Sequence, residues 1–374
     1  MKLSVLADKD IPFLDDFLPE DIQVYRFDPL HDWNSIKPEV RSECSALLVR
    51  TVSKLDAEHF DVSLFPNLQF VGTASAGFDH VDVEYLTKSG IKFFDAGGAN
   101  AQAVGEYVAS VVVQWSIEAK KPLEECSVGI VGYGHTGSKV GSILQQLGCN
   151  IVKHDPPKSL RDPSFSSNSI EEILTCDVIS FHVPLDEQSA YPTKFWLDDH
   201  KLKKFNGMLV INASRGGIVH EDALLSWKNE LPQQRRFVLD VWEKEPFLNR
   251  QIAENAWIAT PHIAGYSIQS KRNATRMVLK SMCSFFEYPN SIADSCTNFM
   301  NLTAYQSWHP LFELSEQLKQ GLTEDSEANA RHFRSLRQHS KLRNEFKFTT
   351  AGSFEMLSEL PKVQELIKAC GGPL

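Results

Sequence analysis

The chain has 374 residues, enough for two or three domains with sizeable cores. Apolar residues make up 42% and charged residues 23%, with 20 Gly and 18 Pro, which excludes a largely disordered or collagenous chain. The formal net charge of −10 argues against a general nucleic-acid or anionic-membrane binder, so neither partner is expected.

The seven cysteines are widely spaced, odd in number and form no CxxC pair. That pattern fits reduced thiols in a cytoplasm, with no disulfide framework and no metal site. The apolar stretch at the N-terminus is too short for a signal peptide, and no run approaches the roughly 18 residues that span a bilayer. A cytoplasmic protein is expected.

In chain order, short apolar runs at 3–7, 46–49, 68–73 and 91–94 read as strands. They alternate with helical stretches such as 81–89, which predicts a parallel sheet covered by helices. Residues 101–117 place Val104, Val108, Val111, Val112 and Trp115 at helical spacing, predicting a long buried helix. A second βα series follows, with strands at 127–131, 150–154, 178–183, 208–212, 237–241 and 257–260. Residues 138–147 and 270–287 read as helices, the latter returning the chain to its first domain. After Pro289 no glycine-rich turn occurs; 311–318 is a helical patch. Residues 331–347 hold six basic side chains, including Arg331, Arg334, Arg337, Lys341, Arg343 and Lys347, against the single acid Glu345. A solvated helix face is the simplest account of that run.

Gly132-Tyr-Gly134-His135-Thr136-Gly137 follows one strand and opens a helix, and Asp155 ends the next strand. Together these form a dinucleotide fingerprint. Gly132 permits the turn, Gly134 lets the backbone approach a pyrophosphate, and Gly137 allows close helix–strand packing. Asp155 would accept hydrogen bonds from ribose hydroxyls and repel a 2′-phosphate, so NAD is the expected cofactor. Three further segments place polar groups just past strands: Asn212-Ala213-Ser214-Arg215-Gly216, Asp240 through Glu245-Pro246, and His262-Ile-Ala-Gly265-Tyr266. Ligands bind at the carboxyl ends of strands in open α/β sheets, so Arg215, Glu245 and His262 are candidate reacting groups.

This series resembles the D-2-hydroxyacid dehydrogenase family. The loops Val49-Arg50-Thr51-Val52-Ser53-Lys54 and 70–82, Asp155-Pro-Pro157, and the tail segments 333–337 and 341–343 narrow the likeness to a branch acting on a phosphorylated sugar acid. The resemblance implies a Rossmann doubly wound parallel sheet (101–266) that binds NAD. It also implies a flavodoxin-like substrate domain (1–100 and 267–290) and a smaller C-terminal α+β dimerisation domain (291–374) in a homodimer. Catalysis then falls to Arg215, Glu245 and His262. Cofactor contacts fall on the loop 132–137 and on Asp155, Ala213, Ser214, Asp240 and Gly265. Substrate contacts fall on Thr51, Ser75 and Tyr266. A phosphorylated 2-hydroxy acid is the implied substrate, with Arg50, Lys54 and an arginine of the tail as candidate phosphate ligands. A glycerate-type dehydrogenase and a non-catalytic NAD sensor are the alternatives. Four segments depart from the family pattern: Val183, where a hydroxyl side chain is usual; His220, where Asp is usual; Ser214-Arg215-Gly216, often Cys-Arg-Gly; and Gly97-Gly98-Ala99-Asn100, more usually Pro-Gly-Cys-Asn.

Overall fold

A computed structural model of the protein describes residues 3–288, 309–340, 343, 345 and 361–371. The chain divides into two compact units, Met1–Asn100 with Ile268–Phe299 and Ala101–Ser267 with Met300–Leu374.

The first unit holds five parallel strands: β1 (Ser4–Asp8), β2 (Gln23–Phe27), β3 (Ala46–Val49), β4 (Phe70–Thr73) and β5 (Lys92–Asp95). Their order, β2-β1-β3-β4-β5, is the flavodoxin-like order. Strands β1, β3 and β4 are buried along their whole length because both faces are covered, and so they read as continuous apolar runs. Strand β2 lies at the sheet edge and buries only Phe27 fully. It escapes the sequence reading because Gln23-Val-Tyr-Arg-Phe27 has no apolar run.

One face of this sheet packs on the helix Ile268–Phe285 through Ala274, Val278, Leu279 and Met282. Gly72 is required there: a Cβ at that position would lie 2.5 Å from Val278 Cγ1 and 3.0 Å from Phe70 Cε1. Trp33, Phe60 and Phe65 build an aromatic cluster on the other face. The carboxyl ends of β1, β3 and β4 carry Asp8, Arg50 with Thr51, and Ser75, so topology gathers these groups at one sheet edge.

The second unit begins with the helix Ala101–Glu118, of which 14 of 18 residues are buried. Six parallel strands follow: β6 (Ser127–Val131), β7 (Asn150–His154), β8 (Val178–Phe181), β9 (Leu209–Asn212), β10 (Arg236–Leu239) and β11 (Ile258–Ala259). Their order is β11-β10-β9-β8-β6-β7, so the chain reverses direction across the sheet at β6 and β8. That reversal is a topological switch point, where such folds bind ligands.

The described tail joins this unit. Leu311, Leu366 and Ile367 share a core with the Ala101–Glu118 helix, and Leu318, Leu322 and Phe333 share one with β8–β10. The family resemblance implies a separate C-terminal domain over 291–374; helical spacing by itself shows an apolar stripe without showing what covers it. The tail's described residues form the helices His309–Gln320, Ser326–His339 and Pro361–Ala369, plus a bridge between Ser267 and Arg343. Lys341 and Lys347 of the basic run lie outside the described residues.

Six of the seven cysteines are described; all are free and buried, and burial pushes the thiols of Cys44, Cys149 and Cys176 up to about 12. Among the described residues, no helix is long and apolar enough to cross a membrane.

The Gly72 contact is testable. Gly72→Ala should destabilise the first unit by about 1–3 kcal/mol, since Val278 has little rotamer freedom with which to yield. Urea unfolding should show a lower midpoint, and an unchanged midpoint would contradict the packing argument.

Candidate active site

The glycine loop joins β6 to the helix His135–Gln146. Gly132 has φ +87°, and a Cβ there would lie 2.5 Å from the His182 carbonyl oxygen. A Cβ on Gly137 would overlap the Gly132 carbonyl oxygen. These two glycines are demanded by the protein's own backbone. Gly134 differs, because nothing lies within 4 Å of its hypothetical Cβ. It caps the helix without any side-chain hydrogen bond, and His135 and Thr136 in the first turn are not buried. An uncapped helix N-terminus facing open space suits a phosphate, so the residues present fit NAD. Val183 packs beneath this loop, with its Cγ1 2.6 Å from where a Gly132 Cβ would stand. An apolar side chain therefore fills that position.

Asp155 has a double backbone role. Its Oδ2 accepts from Tyr133 N at 2.8 Å and its Oδ1 accepts from Lys158 N at 2.9 Å, capping the helix Pro156–Arg161. Each oxygen keeps a second lone pair for a ribose hydroxyl.

The loop after β9 carries Ala213, Ser214 and Arg215. Asn212 holds it from both sides: its Oδ1 accepts from Ser214 N and Oγ at 3.2 and 2.8 Å, and its Nδ2 donates to the Arg215 carbonyl at 2.9 Å. Gly216 follows because a Cβ there would overlap the Trp242 carbonyl.

Asp240, at the end of β10 and almost fully buried, organises the segment 260–264. Its Oδ1 accepts from Thr260 Oγ1 at 2.6 Å and Ile263 N at 2.7 Å; its Oδ2 accepts from Ala264 N at 2.9 Å. Its carbonyl accepts from His262 N at 2.8 Å. His262 sits at φ +58°, a region that non-glycine residues enter only when surroundings force it. These four hydrogen bonds supply that force.

His262 Nδ1 lies 2.9 Å from Glu245 Oε2, and Glu245 Oε1 accepts from Trp242 N at 2.9 Å. Burial works to raise the Glu245 pKa. The hydrogen bond and charge of His262, the Trp242 N–H and the charge of Arg337 outweigh it and hold the carboxyl below its ordinary value. An ionised Glu245 makes Nδ1 the donor, which leaves Nε2 as the acceptor of a neutral imidazole.

Behind Glu245 stands a second carboxylate pair. Glu221 Oε1 accepts from Glu243 N at 2.8 Å, and Glu243 Oε1 accepts from Glu221 N at 2.7 Å. Burial, reinforced by the charges of Glu243, Asp222 and Glu245, pushes Glu221 up to about 7. His220 takes the cap position of the next helix, its Nδ1 accepting from Ala223 N at 3.2 Å, as an Asp would. Tyr266, one residue past Gly265, accepts at its hydroxyl from Arg337 Nε at 3.0 Å.

In the first unit Thr51 is exposed in the turn after β3. Ser75 Oγ donates to the Gly77 carbonyl at 2.9 Å and lies 2.7 Å from Thr73 Oγ1. Arg50 is not a free phosphate ligand. Its Nε and Nη2 donate to the buried Asp8 at 2.8 and 3.1 Å, and Nη2 also reaches Asp10 at 3.0 Å. Removing Arg50 would leave a buried carboxylate unpaired, a folding defect rather than a selective loss of substrate affinity. Lys54 is exposed.

The second unit therefore brings together Arg215, Asp240, Glu245, His262 and Tyr266 on consecutive strand ends. Asn212, Thr260, Glu221, Glu243 and Arg337 escape the sequence reading as members of this constellation. Asn212 lies inside a quoted motif, whereas the others act on residues distant in sequence.

Fold and site together define the class: an NAD-binding dehydrogenase of the D-2-hydroxyacid type. Residues 102–264 match the family model described as D-isomer specific 2-hydroxyacid dehydrogenase, NAD binding domain. The chain is 34% identical over 329 residues to erythronate-4-phosphate dehydrogenase of Marinomonas sp., covering 83% of this chain and 85% of that one. It is 36% identical over 287 residues to the Bacteroides thetaiotaomicron protein of the same name, covering 76% and 80%. Among solved structures, NAD+-bound 3-phosphoglycerate dehydrogenase of Entamoeba histolytica superposes with a TM-score of 0.62 at 21% identity, over 80% of this chain and 100% of that one. This last likeness speaks to fold alone. The chain belongs to the erythronate-4-phosphate dehydrogenase family.

The raised pKa of Glu221 has a definite sign. The folded protein holds this proton more tightly than the unfolded chain, so stability falls as pH rises from about 4.5 to about 7. Glu221→Gln keeps the acceptor for Glu243 N–H and removes the charge. At pH 8 this variant should be more stable than the parent by about 1–3 kcal/mol, and near pH 4.5 the two should converge. Denaturant unfolding at both pH values measures this, and an unchanged pH dependence would contradict it.

Proposed function

We propose that the protein is a 4-phosphoerythronate dehydrogenase. It oxidises 4-phospho-D-erythronate at C2 to 2-oxo-3-hydroxy-4-phosphobutanoate with NAD as oxidant, a step supplying pyridoxal 5′-phosphate biosynthesis. The observation that carries the mechanism is the Glu245–His262 hydrogen bond at 2.9 Å, with Glu245 held ionised. It leaves His262 Nε2 ready to take a proton.

Removing a hydroxyl proton while hydride departs C2 needs a base whose protonated form is stabilised. His262 Nε2 takes the proton, and Glu245 orients the ring and stabilises the imidazolium. Arg215 offers a planar fork for the C1 carboxylate and for the carbonyl oxygen that develops at C2. When bound, NAD supplies the acceptor for the hydride. The first turn after Gly134, with His135 and Thr136, would hold its pyrophosphate, and Asp155 would hold its adenosine ribose. Ala213, Ser214 and Gly265 are assigned to further cofactor contacts, whereas Asp240, whose carboxylate oxygens both accept from the segment 260–264, is assigned to anchoring His262. Thr51, Ser75 and Tyr266 are assigned to the substrate. The assembly is a homodimer in the cytoplasm, with the tail contributing to the dimer contact.

Absorbance at the NADH band tests this reading across 4-phosphoerythronate, glycerate and 3-phosphoglycerate. The phosphorylated four-carbon acid should give a kcat/KM at least tenfold above the others. Preference for a three-carbon acid, or NAD binding without turnover of any acid, would overturn the reading.

A further inference from the structure

The basic run of the tail does not behave as one solvated face. Arg331 and Arg334 are exposed. Arg343 is engaged by buried Glu106 and the Ala103 carbonyl. Arg337 differs from all of these. It stands in the last turn of the helix Ser326–His339, on the face that buried Ala330 and Phe333 anchor one and two turns earlier. It is partly buried, and its Nε donates to the Tyr266 hydroxyl at 3.0 Å. Among the described residues that hydroxyl is its only hydrogen-bond partner, and no carboxylate lies within ion-pair distance of it. Its charge is nevertheless felt by Glu245.

A partly buried guanidinium with five N–H donors and one acceptor is under-satisfied. Its charge acts on Glu245, which is itself within electrostatic reach of Glu221, in a chain of net charge −10. An anion approaching these carboxylates needs a local cation that is not already paired. Arg50 is held by Asp8 and Asp10, and Arg343 by Glu106. A planar fork suits a phosphate monoester, two of whose terminal oxygens can accept its parallel N–H donors.

We propose that Arg337, poised by the Tyr266 hydroxyl, is the cation that receives the phosphate of the substrate, so that the tail helix sets the preference for phosphorylated over unphosphorylated acids. The assignment rests on the reaction proposed above and adds to it the residue that confers selectivity. It also gives the tail a part in substrate recognition besides any part in assembly.

Steady-state kinetics of the full-length protein with 4-phosphoerythronate and with erythronate test it, using Arg337→Gln and Arg337→Lys. The ratio of kcat/KM, phosphorylated over unphosphorylated, should fall about 10²-fold in Arg337→Gln and be partly restored in Arg337→Lys. Inorganic phosphate should inhibit the parent competitively and Arg337→Gln at least tenfold more weakly. An unchanged ratio, with equal loss on both acids and a displaced acidic limb of the pH profile, would overturn the proposal. Arg337 would then serve only to keep Glu245 ionised. Should the parent turn over neither acid, the reaction itself is refuted. Calorimetric titration with inorganic phosphate then decides the Arg337 assignment: weaker binding to Arg337→Gln supports it, and equal binding rejects it.

Discussion

The buried carboxylate of Asp240 is the constraint on which the candidate active site depends. It takes the Ile263 and Ala264 N–H groups and the Thr260 hydroxyl, while the backbone of the same residue takes the His262 N–H. The Thr260 hydroxyl is in turn 2.8 Å from the Tyr107 hydroxyl on the long buried helix. One side chain on β10 thus fixes the turn after β11 and holds His262 in a left-handed conformation. Without that clamp the imidazole could relax to ordinary dihedrals and leave Glu245. Precise placement of reacting groups carries much of an enzyme's rate, and an error of about 1 Å can cost about 10²-fold.

The same region concentrates negative charge. Glu221 and Glu243 exchange hydrogen bonds through each other's backbone, and the charges of Glu243 and Glu245 act on Glu221. Opposite effects follow at two neighbouring carboxyls. Burial and its acidic neighbours push Glu221 up, whereas His262, Trp242 N–H and Arg337 prevail over burial and keep Glu245 low. Environments that drive neighbouring pKa values apart are how a site assigns roles to like residues. The overall charge of −10 therefore says little about the substrate's sign, because local charge decides what a cleft admits, and the Arg337 charge reaches Glu245 within the same unit.

Much of this was legible in the sequence because the relevant constraints are local. Strands β3, β4 and β6 are short apolar runs since both sheet faces are covered. The glycine loop is legible because φ at Gly132 and the close approach at Gly137 are requirements of a few consecutive residues. Strand β2 was not, as its edge position leaves its side chains half-exposed and mixed in character. Pairing across long sequence separations was equally invisible. Arg50 reads as a free cation beside Thr51 until Asp8, 42 residues earlier, is seen to hold it. Arg337 reads as one of six basic residues on a solvated face until Tyr266, 71 residues earlier, is found on its Nε. Asp240 reads as a cofactor contact, and its hold on Thr260, Ile263 and Ala264 emerges only in three dimensions.

The most direct test of the account is to separate the clamp from cofactor binding in Asp240→Asn. This substitution keeps the size of the side chain and replaces one acceptor oxygen by a donor facing backbone N–H groups. The account predicts that kcat at saturating NAD falls about 10²-fold while the Kd for NAD changes by less than about threefold. A full kcat with NAD affinity lost would contradict it, and would make Asp240 a cofactor ligand rather than the anchor of His262.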